Sequence, residues 1–305
     1  MEKIAIIGAT GIVGEATLEL ILQESDSSTE VVAFSNNELQ VNFEKLGKSY
    51  AFSLLNFKLL RKRVLDEKPN VIINAVGISD LDYCEKNKQK AWQVNVTLVE
   101  HLVSLAKILN AKFITFSCEH IFNGLSGPYS ENDKPSPTSY LGKTKLAAEN
   151  SVISSLDDFV IIRLPLVYGV SAHGKKDFVA SVLEKCKGNA NMDFSTTYYT
   201  NPVLAEDVAL GVFKIIERDL TGIFHFGGFD YLTLKSFVTK ILKAFNCEKR
   251  LSDFMLLSPY SYFGLKQTYS EALLSMKFSS IVQGLLTYKY LDRQSSSDFE
   301  SLMDY

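Results

Sequence analysis

The chain has 305 residues, of which 46% are hydrophobic and 22% are charged, and its formal net charge is −3 at pH 7. This composition is typical of a globular protein, and the length allows one large or two modest domains. It excludes a basic nucleic-acid-binding class, and no apolar run is long enough to span a membrane. The first residues lead directly into an apolar run, so we expect no signal peptide and a cytoplasmic protein.

The cysteines and histidines are scattered along the chain. Cys84, Cys118, Cys186 and Cys247 include no CxxC pair. We therefore expect four reduced thiols, and neither a disulfide framework nor a zinc site. The four histidines form no cluster either, so no metal site is predicted.

The first predicted strand, residues 4–7, is followed by a glycine-rich turn and then by a helix over residues 15–23. In dinucleotide-binding folds the first glycine permits the turn, the second admits a pyrophosphate and the third lets the helix pack closely. The phosphates would lie at the helix N-terminus. The alternative is a glycine-rich turn without a ligand. We predict a nucleotide site that contains Gly8, Thr10, Gly11, Ile12 and Val13, with Gly14 as the third glycine.

A second predicted strand, residues 30–34, is followed by Ser35 and Asn36, which we predict to contact the cofactor. An acidic residue commonly holds the ribose 2′-hydroxyl of NAD near this point. Neither an acidic residue nor an arginine stands directly at this strand end. The pattern favours NADP, because no carboxylate would repel a 2′-phosphate, and NAD stays open.

The remaining predicted elements alternate between strands and helices. Strands are predicted at residues 70–77, 111–117, 159–164 and 223–226. Helices are predicted at residues 57–67, 82–90, 91–109, 142–152, 179–186, 202–217 (after a loop) and 234–245. This alternation predicts a parallel, doubly wound sheet. We expect residues 123–139 to form a loop and the tail beyond residue 292 to fray.

Five segments carry the patterns of one known family in the same order. They are Gly8-Ala-Thr-Gly11-Ile-Val-Gly14, Asn74-Ala-Val-Gly77, Ala91-Trp-Gln-Val-Asn95, the loop 128–137, and Leu164-Pro-Leu-Val-Tyr168-Gly169. The chain resembles the extended short-chain dehydrogenase/reductase superfamily, and within it the dTDP-4-dehydrorhamnose reductase branch of sugar-nucleotide enzymes. That branch also resembles the regulatory beta subunit of methionine adenosyltransferase.

The resemblance implies an α/β fold with a Rossmann-type doubly wound parallel sheet and a smaller C-terminal substrate-binding lobe. Residues 1–169, joined by residues 200–227, would bind NAD(P), and residues 170–199 and 228–305 would form the lobe. A nucleotide-linked sugar is the implied ligand, and a homodimer is the implied assembly, with no nucleic acid or membrane as partner. The implied cofactor residues beyond those named above are Asn74, Ala75, Val76, Gly77, Asn95, Lys145 and Leu164.

The catalytic positions of the family fit less well. Its members use a Ser or Thr, a Tyr that gives a proton to the substrate carbonyl, and a Lys four residues later. Lys145 keeps the lysine, whereas Leu141 stands at the tyrosine position and Cys118 at the Ser/Thr position. Cys118 is only a weak hydrogen-bond donor. Ser117 precedes it and is a further candidate, or it faces the core.

Two residues are candidate substitutes for the missing proton donor. Tyr140 lies five residues before Lys145, which on a regular helix separates the two side chains by about 140°. It could serve only if the first helical turn is irregular, and the alternative is an aromatic packing residue. His120 replaces a pocket tyrosine of the family, and it is either a substitute acid or a packed histidine.

Two functions follow from these residues. The first is an NAD(P)H-dependent reductase of a nucleotide-linked 4-keto sugar with an atypical active site. The second is an NAD(P)- or sugar-nucleotide-binding regulatory subunit that lacks normal catalysis. An epimerase or dehydratase is disfavoured, because those reactions also need the tyrosine. Tyr198 or Tyr199 would stack on a base or serve in packing.

Overall fold

The computed structural model describes residues 2–39, 46–188, 197–247 and 261–303, with side chains described as far as residue 294. The strands are β1 (Lys3–Ile7), β2 (Glu30–Ser35), β3 (Leu46–Ala51), β4 (Val71–Asn74), β5 (Lys112–Cys118), β6 (Phe159–Leu164), β7 (Val167–Tyr168), β8 (Tyr198–Thr200), β9 (Val203–Leu204), β10 (Gly222–His225), β11 (Leu232–Thr233) and β12 (Ser261–Tyr262). The helices are α1 (Ile12–Glu24), α2 (Phe57–Glu67), α3 (Leu81–Lys86), α4 (Lys88–Trp92), α5 (Leu98–Leu109), α6 (Tyr140–Ser155), α7 (Phe178–Lys187), α8 (Ala205–Glu217), α9 (Leu234–Ala244), α10 (Ser270–Leu274) and α11 (Ile281–Met303).

The main sheet has seven strands in the order β10-β6-β5-β4-β1-β2-β3. Every neighbouring pair in it is parallel. This confirms the predicted α/β fold with a Rossmann-type doubly wound sheet. Edge strand β3 was not predicted, because most of its residues are exposed and it lacks the apolar run of a buried strand.

Alternate residues of the central strand face two helical layers. Ile4 and Ile6 lie in a core cluster that includes residues of α1 and α8. Ala5 and Ile7 lie in a second cluster, which includes residues of α2 and α5. Since both faces of the strand are buried, its sequence is a continuous apolar run without polar alternation.

A smaller part of the chain packs beside the sheet. It contains the three-stranded sheet β11-β8-β12 and a cluster built from α7, α9 and α11, in which Tyr168 and Phe237 are fully buried. Helix α11 continues to Met303, where we expected a frayed tail beyond residue 292. The division into a cofactor-binding part and a substrate-binding lobe stays a prediction.

Two of the four cysteines are joined, which corrects the expectation of four reduced thiols. The structure pairs Cys186 with Cys247 as a disulfide, with a Cα–Cα distance of 6.6 Å and a sequence separation of 61 residues. The packing of α7 against α9 brings them together, and no local motif signals it. Cys84 and Cys118 are free thiols. Over the described ranges, the structure has no helix with the length and apolar character needed to cross a membrane.

The strand order reverses between β1 and β4, and the carboxyl ends of these parallel strands meet at one edge of the sheet. In open α/β sheets, ligands bind in the crevice at this topological switch point. The glycine-rich turn follows β1 here, and the segment 75–78 follows β4. The fold therefore brings the predicted cofactor residues to one edge.

Candidate functional site

The turn after β1 is held by backbone hydrogen bonds. The Gly8 N–H donates to the carbonyl of Phe34 at 2.7 Å, and the Gly11 N–H donates to the carbonyl of Gly8 at 2.9 Å. Gly8 has φ +96°, a conformation that L side chains rarely adopt. A Cβ on Gly14 would overlap the Gly8 carbonyl oxygen. Glycines at these places let α1 begin directly against the turn.

The N-terminus of α1 offers free backbone donors. Gly11 is the N-cap residue, and no side chain caps the helix. The first N–H groups of a helix, here those of Ile12 and Val13, have no intrahelical partner. Together with the helix dipole, such groups bind phosphate oxygens. The turn with its buried Thr10 therefore fits the diphosphate of a dinucleotide.

The residues after β2 make contacts within the protein. The Ser35 hydroxyl donates to the carbonyl of Asn37 at 2.5 Å. The Asn36 side-chain oxygen accepts the N–H of Leu54 at 2.9 Å. Both side chains thus fix the end of β2, and neither carries a negative charge.

Asn74 shapes the turn after β4. Its Nδ2 donates to the Thr115 hydroxyl at 3.2 Å, and its Oδ1 accepts the Val76 N–H at 3.2 Å. This turn lies against the glycine-rich turn, since a Cβ on Gly8 would come within 2.8 Å of Val76 Cγ2 and 3.0 Å of the Ala75 carbonyl carbon. The two turns form adjoining walls at the switch point.

Asn95 holds the next stretch of the same segment. It lies in a π-helical turn, Gln93–Thr97. Its amide accepts the Ile78 N–H at 2.8 Å and donates to the Ile78 carbonyl at 3.0 Å and the Thr144 hydroxyl at 3.1 Å. The side chain thus ties the segment after β4 to α6, and its role toward a cofactor stays a prediction.

Lys145 reaches from α6 to the switch point. Its Nζ donates to the carbonyl of Phe116 on β5 at 3.0 Å. A Cβ on Gly77 would lie 2.8 Å from this Nζ, so the amine borders the turn after β4. Burial lowers the pKa of Lys145. Leu164, the last residue of β6, is buried in the core cluster on the α1 side of the sheet.

A buried ion pair fixes α6 on the sheet. The Arg163 guanidinium on β6 donates to both carboxylate oxygens of Glu149, at 3.1 and 2.8 Å. Its Nη1 also lies 3.3 Å from Nε2 of His225 on β10. Glu149 is four residues after Lys145, so the two share a face of α6. The pair therefore sets the position of the helix that carries Lys145.

The first turn of α6 is regular. The Ser139 hydroxyl accepts the Gly142 N–H at 3.1 Å, and the Lys143 N–H donates to the Ser139 carbonyl at 3.0 Å. No change of register occurs between residues 140 and 145. The structure therefore lacks the irregular turn that Tyr140 would need in order to face Lys145.

Tyr140 contacts α3 and α4 instead. Its N–H donates to the Glu85 carboxylate at 2.7 Å, and the Lys88 Nζ lies 5.4 Å from the centre of its ring. Within the described residues, its hydroxyl makes no hydrogen bond. These contacts favour the packing interpretation of Tyr140.

An apolar cluster contains Leu141, the residue that we predict to stand at the tyrosine position of the family. Leu141 is fully buried with Cys84 and Ala91, and Cys118 packs against them. Burial raises the pKa of Cys118 to about 12, so its side chain is a thiol at neutral pH. The two predicted catalytic positions thus carry a hydrocarbon side chain and a weak hydrogen-bond donor.

The contacts of Ser117 do not indicate that it supplies the Ser/Thr hydroxyl that the family uses. Successive residues of a strand point to opposite faces, so Ser117 and Cys118 project from β5 in opposite directions. The Ser117 Oγ is buried and has no hydrogen-bond partner among the described residues. Its catalytic role stays a prediction.

Glu119, which the sequence analysis did not select, is buried directly after β5 and accepts several hydrogen bonds. It accepts the Tyr198 hydroxyl at 2.6 Å, the Thr200 hydroxyl at 2.9 Å and the Gly264 N–H at 2.7 Å. Burial raises its pKa to about 7. Its sequence signals were an acid directly after a predicted strand and an acid at the same place in the family that the chain resembles. Glu119 joins the main sheet to the three-stranded sheet.

His120 is a packed, neutral histidine. Its ring lies 4.8 Å from that of Phe263, and its Nε2 is 3.4 Å from the Tyr198 hydroxyl. Burial lowers its pKa to about 4, so the imidazole carries no extra proton at neutral pH. This favours packing over a role as substitute acid.

The two tyrosines proposed for base stacking also have protein partners. Tyr198 stacks on Phe263 at a ring distance of 5.3 Å. Tyr199 stacks on Tyr262 at 5.2 Å. Both contacts favour the packing interpretation. Among the described residues, no group of three or more His, Cys, Asp or Glu side chains is arranged to hold a metal ion.

Comparison with known proteins gives a family and a group of relatives. The family model described as RmlD substrate binding domain matches residues 1–262. Methionine adenosyltransferase 2 subunit beta of Xenopus tropicalis is 28% identical over 249 residues, which cover 79% of this chain and 71% of that protein.

Solved structures share the fold. A dTDP-4-dehydrorhamnose reductase from Clostridium acetobutylicum superposes with a TM-score of 0.81 at 22% identity, covering 95% of this chain and 99% of that one. The dTDP-4-dehydrorhamnose reductase of Bacillus anthracis, solved in complex with NADP, gives a TM-score of 0.80 at 19% identity with the same coverage. At these identities the likeness concerns the fold.

Proposed function

Since the chain belongs to the RmlD substrate binding domain family, we propose that it binds NAD(P) as a regulatory or binding subunit whose reductase site lacks its proton donor. One observation carries this proposal. Leu141 is fully buried on a regular turn of α6, four residues before Lys145, where the family places its tyrosine. A hydrocarbon side chain there has no proton to give.

The dinucleotide would lie across the switch point. The turn Gly8–Gly11 and the N–H groups of Ile12 and Val13 would hold its diphosphate. Ser35 and Asn36 would border the adenosine ribose, and Lys145 the nicotinamide side. Bound NAD(P)H would supply a hydride. The absence of a carboxylate directly after β2 supports NADP without excluding NAD.

The chain's own residues would make proton transfer slow. General acid catalysis typically contributes about 10²–10⁴-fold to a rate. The Cys118 thiol has a pKa of about 12, and His120 has a pKa of about 4. The thiol holds its proton too tightly, and the imidazole carries no acidic second proton at neutral pH. Neither replaces a tyrosine activated by a nearby lysine.

A second candidate is a slow NAD(P)H-dependent reductase of a nucleotide-linked 4-keto sugar. Its support is Lys145, which remains at the switch point in contact with β5 and the turn after β4. In this candidate, residues 1–169 and 200–227 hold the cofactor, and residues 170–199 and 228–305 hold the sugar nucleotide.

The partner of a regulatory subunit would be another enzyme chain. The relatives called methionine adenosyltransferase 2 subunit beta support a catalytic subunit of methionine adenosyltransferase as that partner. Co-elution of the two purified chains on size-exclusion chromatography is the expected result. Separate elution of the two chains at micromolar concentrations would rule out the catalytic subunit as a partner.

The test of the main proposal combines binding and turnover. NADPH binding is measured by fluorescence titration, and NADPH oxidation is measured with dTDP-4-dehydrorhamnose. Three proteins are compared: wild type, Leu141→Tyr, and Leu141→Phe as the control with the same ring but no hydroxyl. We expect all three to bind NADPH and only Leu141→Tyr to oxidise it.

Each other outcome has a definite meaning. Rapid turnover by the wild type would overturn the regulatory proposal and favour the reductase. Failure of the wild type to bind NADPH and NADH would overturn both candidates. If Leu141→Phe were as active as Leu141→Tyr, the hydroxyl would not be the missing group.

A further inference from the structure

A loop after β7 lies against the first turn of α1. A Cβ on Gly169 would be 3.1 Å from Cγ2 of Ile12, so the loop begins in contact with the helix N-terminus. Two residues further along, the loop meets Glu15, the acidic residue in the first turn of α1. Ile12 and Glu15 are three residues apart and lie on the same face of the helix.

The loop surrounds the Glu15 carboxylate. The Ala172 N–H donates to Oε1 at 2.8 Å, and the Ser171 hydroxyl donates to Oε2 at 2.8 Å. The Nδ1 of His173 lies 3.0 Å from the same Oε2, and the side chains of His173 and Glu15 are only 5% and 4% exposed. Three consecutive residues therefore converge on one buried carboxylate.

A carboxylate at this place opposes the function of the helix terminus. The free N–H groups at the start of α1 attract anions, and Glu15 is only about 4.5 Å further along the axis than Ile12. Its negative charge would repel a diphosphate bound there. The charge also acts one turn along the helix, since burial and the Glu15 carboxylate raise the pKa of Glu19 to about 7.

We propose that the segment Ser171-Ala172-His173 is a clamp that holds the Glu15 carboxylate through its hydrogen-bond donors and the close His173 imidazole, so that the dinucleotide diphosphate can bind at α1. His173 is thus a positioning residue, because it acts on the ligand through Glu15. The inference rests on the proposed binding of NAD(P). It adds a determinant of affinity outside the glycine-rich turn.

The test is a double-mutant cycle on NADPH binding, measured by fluorescence titration at low ionic strength. We expect His173→Ala to weaken binding about tenfold, the equivalent of about 1.4 kcal/mol. Glu15→Gln should bind NADPH at least as tightly as the wild type. The double variant should recover most of the lost affinity, because the repelling charge is gone.

Two further variants separate this effect from others. Lys175→Ala removes an exposed cation of the same loop and should leave the dissociation constant unchanged. His173→Phe keeps a flat ring without a ring nitrogen, and it serves as the test variant if His173→Ala does not fold by circular dichroism. It should bind more weakly than the wild type and be rescued by Glu15→Gln.

The outcomes distinguish failure of this inference from failure of the proposed function. If the wild type does not bind NADPH, the proposed function fails. If the wild type binds and the His173 variants bind equally well, His173 does not act on the ligand through Glu15, and the inference is overturned. If the His173 variants bind weakly and Glu15→Gln does not rescue them, the loop is only a structural support and the inference is overturned.

Discussion

The glycine-rich turn after β1 and the corner between β5 and α6 lie at the same edge of the sheet, but different forces define them. The turn is held by backbone hydrogen bonds and offers backbone N–H groups to a ligand. The corner is filled by the side chains of Leu141, Cys84 and Ala91. Chemistry that resides in the backbone survives most substitutions, whereas chemistry that resides in side chains is lost with one or two.

This difference allows binding and catalysis to separate within one fold. The corner keeps its helix, its regular first turn and the buried Arg163–Glu149 pair that positions it. Leu141 and Cys118, which we predict to stand at the catalytic positions of the family, pack well there. In the proposed function, the turn holds a dinucleotide while the corner contributes stability alone.

The largest expected effect tests whether Leu141 is a packing residue. Leu141→Ala would leave a cavity in a fully buried cluster, and such truncations typically cost about 2–5 kcal/mol of unfolding free energy. Chemical denaturation measures this loss. NADPH affinity should stay unchanged, because the glycine-rich turn is untouched. A loss below about 1 kcal/mol would show that the corner is not well packed.

The sequence patterns predicted the structure of the glycine-rich turn better than that of the corner between β5 and α6. Apolar runs such as that of β1 predict buried parallel strands, and glycine spacing predicts a backbone site because both are local rules. The bond between Tyr198 and Glu119 joins residues 79 positions apart, and the disulfide joins residues 61 apart. Such contacts depend on how separate elements pack, which no local pattern encodes.

The second prediction concerns pH and the carboxyl group of Glu119. Its folded-state pKa is about 7, above the ordinary value of 4.5. Its stabilising contribution is therefore complete below pH 4.5 and is lost as the pH rises through 7. The loss amounts to about 3 kcal/mol by linkage. Thermal denaturation measured at a series of pH values between 5 and 8 would follow this loss of folding stability.

The matched variant is Glu119→Gln, which does not titrate. Its amide oxygen can accept the Gly264 N–H while its nitrogen donates to the Tyr198 hydroxyl, so the hydrogen bonds are kept. We expect the stability of the variant to exceed that of the wild type increasingly as the pH rises from 5 to 8. Parallel pH curves for the two proteins would contradict the raised pKa.

The third prediction concerns a substitution in the glycine-rich turn. Gly14→Ala places a methyl group against the Gly8 carbonyl and forces α1 away from the turn. NADPH binding should weaken about a hundredfold, the equivalent of about 2.8 kcal/mol. Gly188→Ala is the control, since a Cβ there would be 3.7 Å from the nearest atom. Equal affinity of both variants would mean that the turn does not hold the cofactor.

The smallest expected effect concerns Tyr140, the residue beside Leu141. Tyr140→Phe removes a hydroxyl that makes no hydrogen bond among the described residues, while the ring contact with Lys88 is kept. Stability should change by less than about 0.5 kcal/mol, as for other surface substitutions. Any NADPH oxidation by the wild type or by Leu141→Tyr should continue at the same rate. If Tyr140→Phe abolished that oxidation, the hydroxyl would be the proton donor, and the corner would be catalytic after all.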